Sequence, residues 1–436
     1  MLPGPLSRAG AVRLLAAAAL LLALASSSLL GSGLPRTKPE EVGLSSERLA
    51  RLTDSFQRYV AEGRLAGSVV LVARHGKVAY AMPFGHRDLE SRAPMTEDAI
   101  FRIASQSKAL VSVAALRLQE EGRLLITDPV GKHLPEFLKT RVAVARDGGF
   151  DVVDAKRPIT IRDLLTHTAG LGYGGGPARE LWAKAGITGW YFAHRDEPVG
   201  ATLFRMAALP FDAQPGEKHV YGYATDVLGG VVEKASGTTL DEYLRTRVFE
   251  PLRMRDTHFY LPPSKADRLA TVYSLKEKGL ERAPAEGTMV SQGAYVEGPR
   301  KSFSGGAGLL STAADYARFL QMMLNGGELD GARILSRKTV ELMTTDHLPP
   351  SVEFRDGQGF GLGFSVVEDV GQRGLPGSVG EYGWGGAYHS TYWVDPKEQL
   401  VVVYMSQLIP AGNLDDHARL RALVYQSIVD GGAAAP

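Results

Sequence analysis

The chain of 436 residues contains no cysteine. Disulfides therefore cannot brace the fold, which must rest on its apolar core, and a thiolate zinc site is excluded. Other chemistry-bearing patterns are missing too. No G-x-S-x-G occurs, so the nucleophile elbow of the α/β-hydrolases is absent. Without H-E-x-x-H or a short-spaced set of histidine and carboxylate ligands, no metal and no cofactor are expected. Gly172-Tyr173-Gly174-Gly175-Gly176 and Gly305-Gly306-Ala307-Gly308 are glycine-rich, but neither runs into Lys-Ser/Thr as a phosphate loop would. The first reads as a mobile loop, and the second leads into a helix capped at Ser311 or Thr312 with Asp315 in its first turn. A formal net charge of +1 leaves no electrostatic footprint for nucleic acid. No Pro/Ser-rich linker, charge block or internal repeat divides the body, so residues 40–436 are expected to form one domain.

With 44% hydrophobic and 22% charged residues, that body reads as an ordinary globular protein with a large core. The N-terminus stands apart. Arg8 and Arg13 precede an apolar run from Leu14, and Ala23-Leu24-Ala25 fits a small-residue cleavage pattern. Residues 1–31 are expected to be a signal peptide or, if uncleaved, a signal anchor, which makes the protein exported, periplasmic or secreted. Membrane contact is expected only through that segment, and with no cysteine after it a lipid-anchored form is excluded.

What the chain does carry is one S-x-x-K, Ser105-Gln106-Ser107-Lys108, followed by the apolar run from Ala109 to Leu118 with no Gly or Pro before Gly122. That run reads as a buried helix opening near Ser105. Residues at i and i+3 lie one above the other, so Lys108 can reach the Ser105 hydroxyl. At a helix start, unpaired N–H groups and the helix dipole favour negative charge on or beside the serine oxygen. Serine still needs a base, and lysine can be that base only if burial or other cations lower its pKa.

Around the tetrad the chain resembles the penicillin-recognising serine hydrolases, the superfamily of class C β-lactamases, D-alanyl-D-alanine carboxypeptidases and β-lactamase-like esterases, whose first motif is S-x-x-K. The segments Gly122–Val130, Ile159–Leu171, Gly305–Ala313 and Trp384-Gly385-Gly386 follow in the order of that superfamily, from about Glu41 onwards. Its second motif is Y-x-N or a relaxed Y-x-x, and here Tyr221-Gly222-Tyr223 precedes Asp226-Val227-Leu228-Gly229. The resemblance implies Tyr221 as general base, with Tyr223 the competing choice if the register slips. Its third motif, K-T-G in β-lactamases, is replaced by Trp384-Gly385-Gly386, as in the esterases of the family. The backbone N–H groups of Ser105 and Ala387 would form the oxyanion hole. Tyr173, Tyr223, Trp384, Gly385 and Gly386 are the expected substrate contacts, the glycines letting substrate approach a strand edge closely. His167 and His389 are read as structural or pocket-lining rather than as proton-transfer residues.

Tyr223 cannot supply the amide of the family's asparagine, and Trp384 supplies no cation for a substrate carboxylate. The expected function is therefore a serine hydrolase working through an acyl-enzyme, a carboxylesterase on short-chain esters. A β-lactamase or D-amino-acid peptidase acting on amides is the alternative, and a non-catalytic wall-binding protein is the alternative of another class. The partner is a small-molecule ester or amide, and the oligomeric state is left open. The resemblance implies an α+β fold, an antiparallel sheet flanked by helices with an inserted helix-rich region at about 136–311. Locally, Ser46–Ala61 reads as a helix, Ser68–Arg74 and Val78–Ala81 as a hairpin about His75-Gly76-Lys77, and Gly361–Val367, Ser390–Val394 and Leu400–Met405 as strands. A helix from Asp416 to Val429 is expected to close the sheet.

Overall fold

The computed structural model describes residues 33–287 and 289–430, and the expected export segment, 1–31, lies outside the described residues. The first long helix, α1 (Ser46–Ala61), begins where Ser45 accepts a hydrogen bond from the Arg48 N–H, and it buries Leu49, Leu52, Phe56 and Tyr59 along one stripe. The hairpin β1 (Gly67–Arg74) and β2 (Lys77–Asp88) turns on His75 and Gly76, whose φ angles of 51° and 76° suit the two-residue turn that matches strand twist. A short β3 (Ala93–Pro94) pairs with the far end of β2. Late in the chain, β4 (Gln358–Phe360), β5 (Ser365–Val367), β6 (Tyr382–Gly386), β7 (Ser390–Asp395) and β8 (Leu400–Ser406) complete one eight-stranded sheet in the order β4-β5-β6-β7-β8-β1-β2-β3. Every pairing in it is antiparallel. The fold is thus α+β, as expected.

Strand alternation sorts the core into two layers. Val69, Leu71, Ala73, Val401, Val403 and Met405 point to one side, where they meet the helices of the middle region. Val70, Val72, Val402 and Tyr404 point to the other, under α1 and the last helix. Of the helices on the first side, three position the site: α2 (Ser107–Glu120), α3 (Ala224–Ser236) and α4 (Ala313–Leu324). Helix α4 is capped by Thr312, whose hydroxyl accepts from the Asp315 N–H at 3.1 Å.

Three local expectations need correction. Residues Gly361–Val367 are not one strand: Phe360 pairs with Ser365 and the chain reverses between them, because Gly363 takes φ +104° where a side chain would meet Ser112 of α2. The last helix, α5 (Asp416–Tyr425), stops four residues early and lies on the face of the sheet against α1, not along its edge. The loop at 172–176 is packed, with Gly172 and Gly176 fitted against the Asp212 carboxylate where no Cβ has room.

α5 is tied to the sheet by charge. Glu381, beside β6 and 2% exposed, accepts both Arg421 guanidinium nitrogens at 2.7 and 2.8 Å, Arg373 at 2.9 Å and the Tyr425 hydroxyl at 2.6 Å. Removing that carboxylate strands two nearly buried arginines. Glu381→Gln should lower stability by about 3 kcal/mol in urea denaturation, and an unchanged midpoint would show that the arginines find other partners.

Candidate active site

Ser105 lies on a single 3-10 turn, Ala104–Gln106, just before α2. Ala104 takes φ +42°, a left-handed backbone that its methyl resists. The turn is held by Ile103 N–H to Leu309 O and Gln106 N–H to Ile103 O, both at 3.0 Å. Among the described residues the backbone N–H groups of Ser105 and Ala387 have no protein acceptor, and both residues line one cleft of about 620 Å³. Two free donors in a concave site suit an oxygen that gains negative charge.

Lys108, 2% exposed on the first turn of α2, donates to Ser105 Oγ at 3.3 Å, to Tyr173 OH at 3.1 Å and to Gly306 O at 2.7 Å. Its Nζ also sits 4.6 Å from the centroid of the Tyr221 ring. Burial acts to lower the Lys108 pKa, but Tyr173, Tyr221 and Asp226 outweigh it and hold the ammonium above its ordinary range. The lowered lysine that a free-amine base requires is therefore not what this site provides. Gly306 is placed by Asp226 of α3, whose Oδ1 accepts Ser304 Oγ at 2.6 Å and Gly306 N–H at 3.1 Å. A side chain at 306 would collide with that carboxylate, which is why the approach segment is glycine-rich.

The two tyrosines of the second motif part company. Tyr221 lines the cleft, and its hydroxyl accepts the Trp384 Nε1–H at 2.9 Å. Tyr223, expected as a substrate contact, is fully buried beneath it. There it stacks between Trp182 and Phe192 and donates to Gly189 O at 2.6 Å, because it is the residue that caps α3 into the core. Tyr173 lines the cleft with its ring edge-on to Tyr221. Burial pushes its hydroxyl well above the ordinary tyrosine value against the pull of Lys108.

Trp384, Gly385, Gly386 and Ala387 form the opposite wall. The glycine at 386 serves the protein before any substrate: a Cβ there would stand 2.5 Å from Ile103 O and from Ser390 Oγ, so the bare backbone lets β6 close on the Ser105 turn. From Tyr221 the aromatic wall runs through Trp384 and Phe360 to Phe354, in steps of 5.3, 5.3 and 5.5 Å between ring centroids. His167 packs 4.6 Å from Tyr221, and its buried Nδ1 has no hydrogen-bond partner among the described residues.

The turn from β6 to β7 carries Ala387 and ends at His389, which takes φ +63°. His389 Nε2 bonds Asp416 Oδ1 at 2.7 Å, the Tyr404 hydroxyl donates to Oδ2 at 2.6 Å, and the His417 backbone N–H reaches Oδ1 at 2.9 Å. Donor atoms of His389, Asp416 and His417 lie within 4.8 Å of one another, a grouping that could hold a cation and that the sequence does not display as a motif. The carboxylate oxygens are already occupied by protein donors, so the set reads as a clamp on the turn. Asp226, Phe354, Arg355, Phe360 and Asp416 are not among the expected site residues, and they come from three separate stretches of the chain that only the fold brings together.

With this geometry the comparisons agree. The Beta-lactamase family profile matches residues 52–426. Protein Rv1367c of Mycobacterium tuberculosis is 36% identical over 376 residues, covering 83% of this chain and 90% of that protein. Esterase EstB of Burkholderia gladioli is 34% identical over 379 residues, covering 82% and 90%. Among solved structures, EstCE1, described as a hydrolase with promiscuous acyltransferase activity, superposes with a TM-score of 0.73 at 30% identity, covering 87% of this chain and 99% of that one.

Two outcomes test the site as built. Gly386→Ala should cost about 1–3 kcal/mol by forcing β6 off the Ser105 turn, read as a lowered thermal midpoint. His219, packed against Phe354 and Phe360, has its pKa pushed down to about 4 by burial and then by the Arg355 charge. The folded protein thus holds this ring neutral while the unfolded chain takes up a proton near 6.5. Stability is intact above that pH and falls as pH drops towards 4, by roughly 2–3 kcal/mol for this ring. His219→Gln should flatten that part of the slope in urea melts run between pH 7 and 4.

Proposed function

The chain belongs to the beta-lactamase family, a family of serine hydrolases with esterase homologues, and on that premise we propose that it is a carboxylesterase acting on short-chain esters through an acyl-enzyme. Trp384 carries the choice of substrate. It stands where K-T-G enzymes place a lysine, and its indole N–H is spent on Tyr221, so the strand beside Ser105 offers an aromatic surface and no cation. An ester's acyl or alkoxy chain fits such a wall.

In this reading Ser105 Oγ attacks the ester carbonyl, its proton passes to the oxygen of Tyr221 acting as phenolate, and the carbonyl oxygen gains its charge between the N–H groups of Ser105 and Ala387. Collapse of the tetrahedral adduct breaks the bond to the alkoxy oxygen, which takes the proton from Tyr221 and leaves as alcohol. Water then gives a proton to Tyr221 as its oxygen attacks the acyl carbon, and collapse of the second adduct breaks the bond to Ser105 Oγ, which takes that proton back as the carboxylic acid leaves. Lys108, held as an ammonium, aligns the Ser105 hydroxyl and offsets charge on the tyrosine through its position over the ring. Tyr173, kept protonated by burial, gives Lys108 a second acceptor and leaves Tyr221 as the proton carrier.

Hydrolysis of 4-nitrophenyl butyrate by the chain lacking residues 1–31 tests this directly. Ser105→Ala should reduce turnover by roughly 10³-fold or more, and Tyr221→Phe should lower kcat by about 10²–10⁴ with KM little changed. A chromogenic cephalosporin should be cleaved slowly or not at all. Ester turnover that survives in Ser105→Ala would move the nucleophile elsewhere, and fast cephalosporin cleavage would replace the ester by an amide substrate.

A further inference from the structure

The cleft is lined by Arg355, Arg373 and Arg421, and Lys108 stands behind Ser105. Arg373 and Arg421 are committed to the buried Glu381, and Lys108 to Ser105, Tyr173 and Gly306. Arg355 differs. Among the described residues its guanidinium makes no ion pair and no side-chain hydrogen bond, yet it is held in place, with its carbon 4.9 Å from the Trp384 ring centroid and 5.3 Å from that of Phe354. Such stacking leaves the N–H edge of the planar fork free, and that edge matches a carboxylate with two parallel hydrogen bonds.

We infer that Arg355 is a specificity residue that binds an anionic carboxylate carried at the far end of the ester substrate. The inference rests on the ester-hydrolase reading above and narrows its substrate class to monoesters bearing a second, ionised acid group. The geometry supplies the path: the aromatic wall starts at Tyr221, passes over Trp384, and ends beneath the Arg355 guanidinium. An aliphatic spacer lying on the indole therefore has its reactive carbonyl at Ser105 and its terminal carboxylate at Arg355. The cation missing from β6 is in this way restored from the loop before β4, on the outer side of the tryptophan. Because Arg355 is exposed, its contribution is a substrate preference that salt weakens and not an absolute requirement.

Nitrophenol release from mono-4-nitrophenyl adipate and from its methyl ester, which keeps the chain and masks the charge, reads this out. At low ionic strength kcat/KM should favour the free acid by about tenfold, mainly through KM, and the ratio should shrink as sodium chloride is raised. Arg355→Gln should bring the ratio near one, and Arg355→Lys should retain part of it. A ratio near one in the native protein, or a preference that persists in Arg355→Gln, overturns the assignment while leaving the esterase intact. Failure to release nitrophenol from either compound, or from 4-nitrophenyl butyrate, instead removes the hydrolase reading and this inference with it.

Discussion

The Lys108 ammonium is 2% exposed and has three protons to place, and each finds an acceptor from a different stretch of chain: Ser105 two residues before its helix, Tyr173 from the loop after residue 170, and Gly306 from the approach to α4. An unpaired buried ammonium would cost several kcal/mol, so these three segments have to converge for the core to form at all. Much of what surrounds the site follows from this requirement. Asp226 holds the Gly306 carbonyl in place, the absence of a side chain at 306 lets it come close, and the half-buried Tyr173 reaches in from the cleft wall to the lysine.

The same constraint explains how the site divides its labour. A lysine satisfied by three acceptors and raised above its usual pKa keeps its proton, which in the proposed mechanism leaves it to orient and neutralise instead of abstracting. In the proposed mechanism the proton carrier is then the tyrosine whose hydroxyl faces the cleft and whose ring lies beneath the ammonium. Packing decides which tyrosine that is, since Tyr223 points into a stack of aromatic rings and Tyr221 out of it.

Sequence patterns located what depends on near neighbours. The helix at Ser46–Ala61, the turn at His75-Gly76 and the Ser105–Lys108 spacing are set by caps, periodicity and i,i+3 geometry, and all are visible in a few consecutive residues. Resemblance supplied the order of the motifs and the sheet architecture. What stayed hidden depends on tertiary approach. The break in the strand at Gly363 exists because α2 lies against it, the glycine at 386 because Ile103 lies against it, and Arg355 matters only because the fold sets it over Trp384. No local window contains both partners of any of these pairs, so their roles could not be read before the chain was folded.

Glu381 also sets an order of events during synthesis. Three of its hydrogen bonds join the strand bearing Trp384 to Arg421 and Tyr425 of the final helix, so that strand lacks its tether until residue 425 has left the ribosome. A nascent chain that has already exposed Ser105 and Lys108 is still without the wall opposite them. Translation pausing before residue 425 would thus leave a cleft with one side untethered.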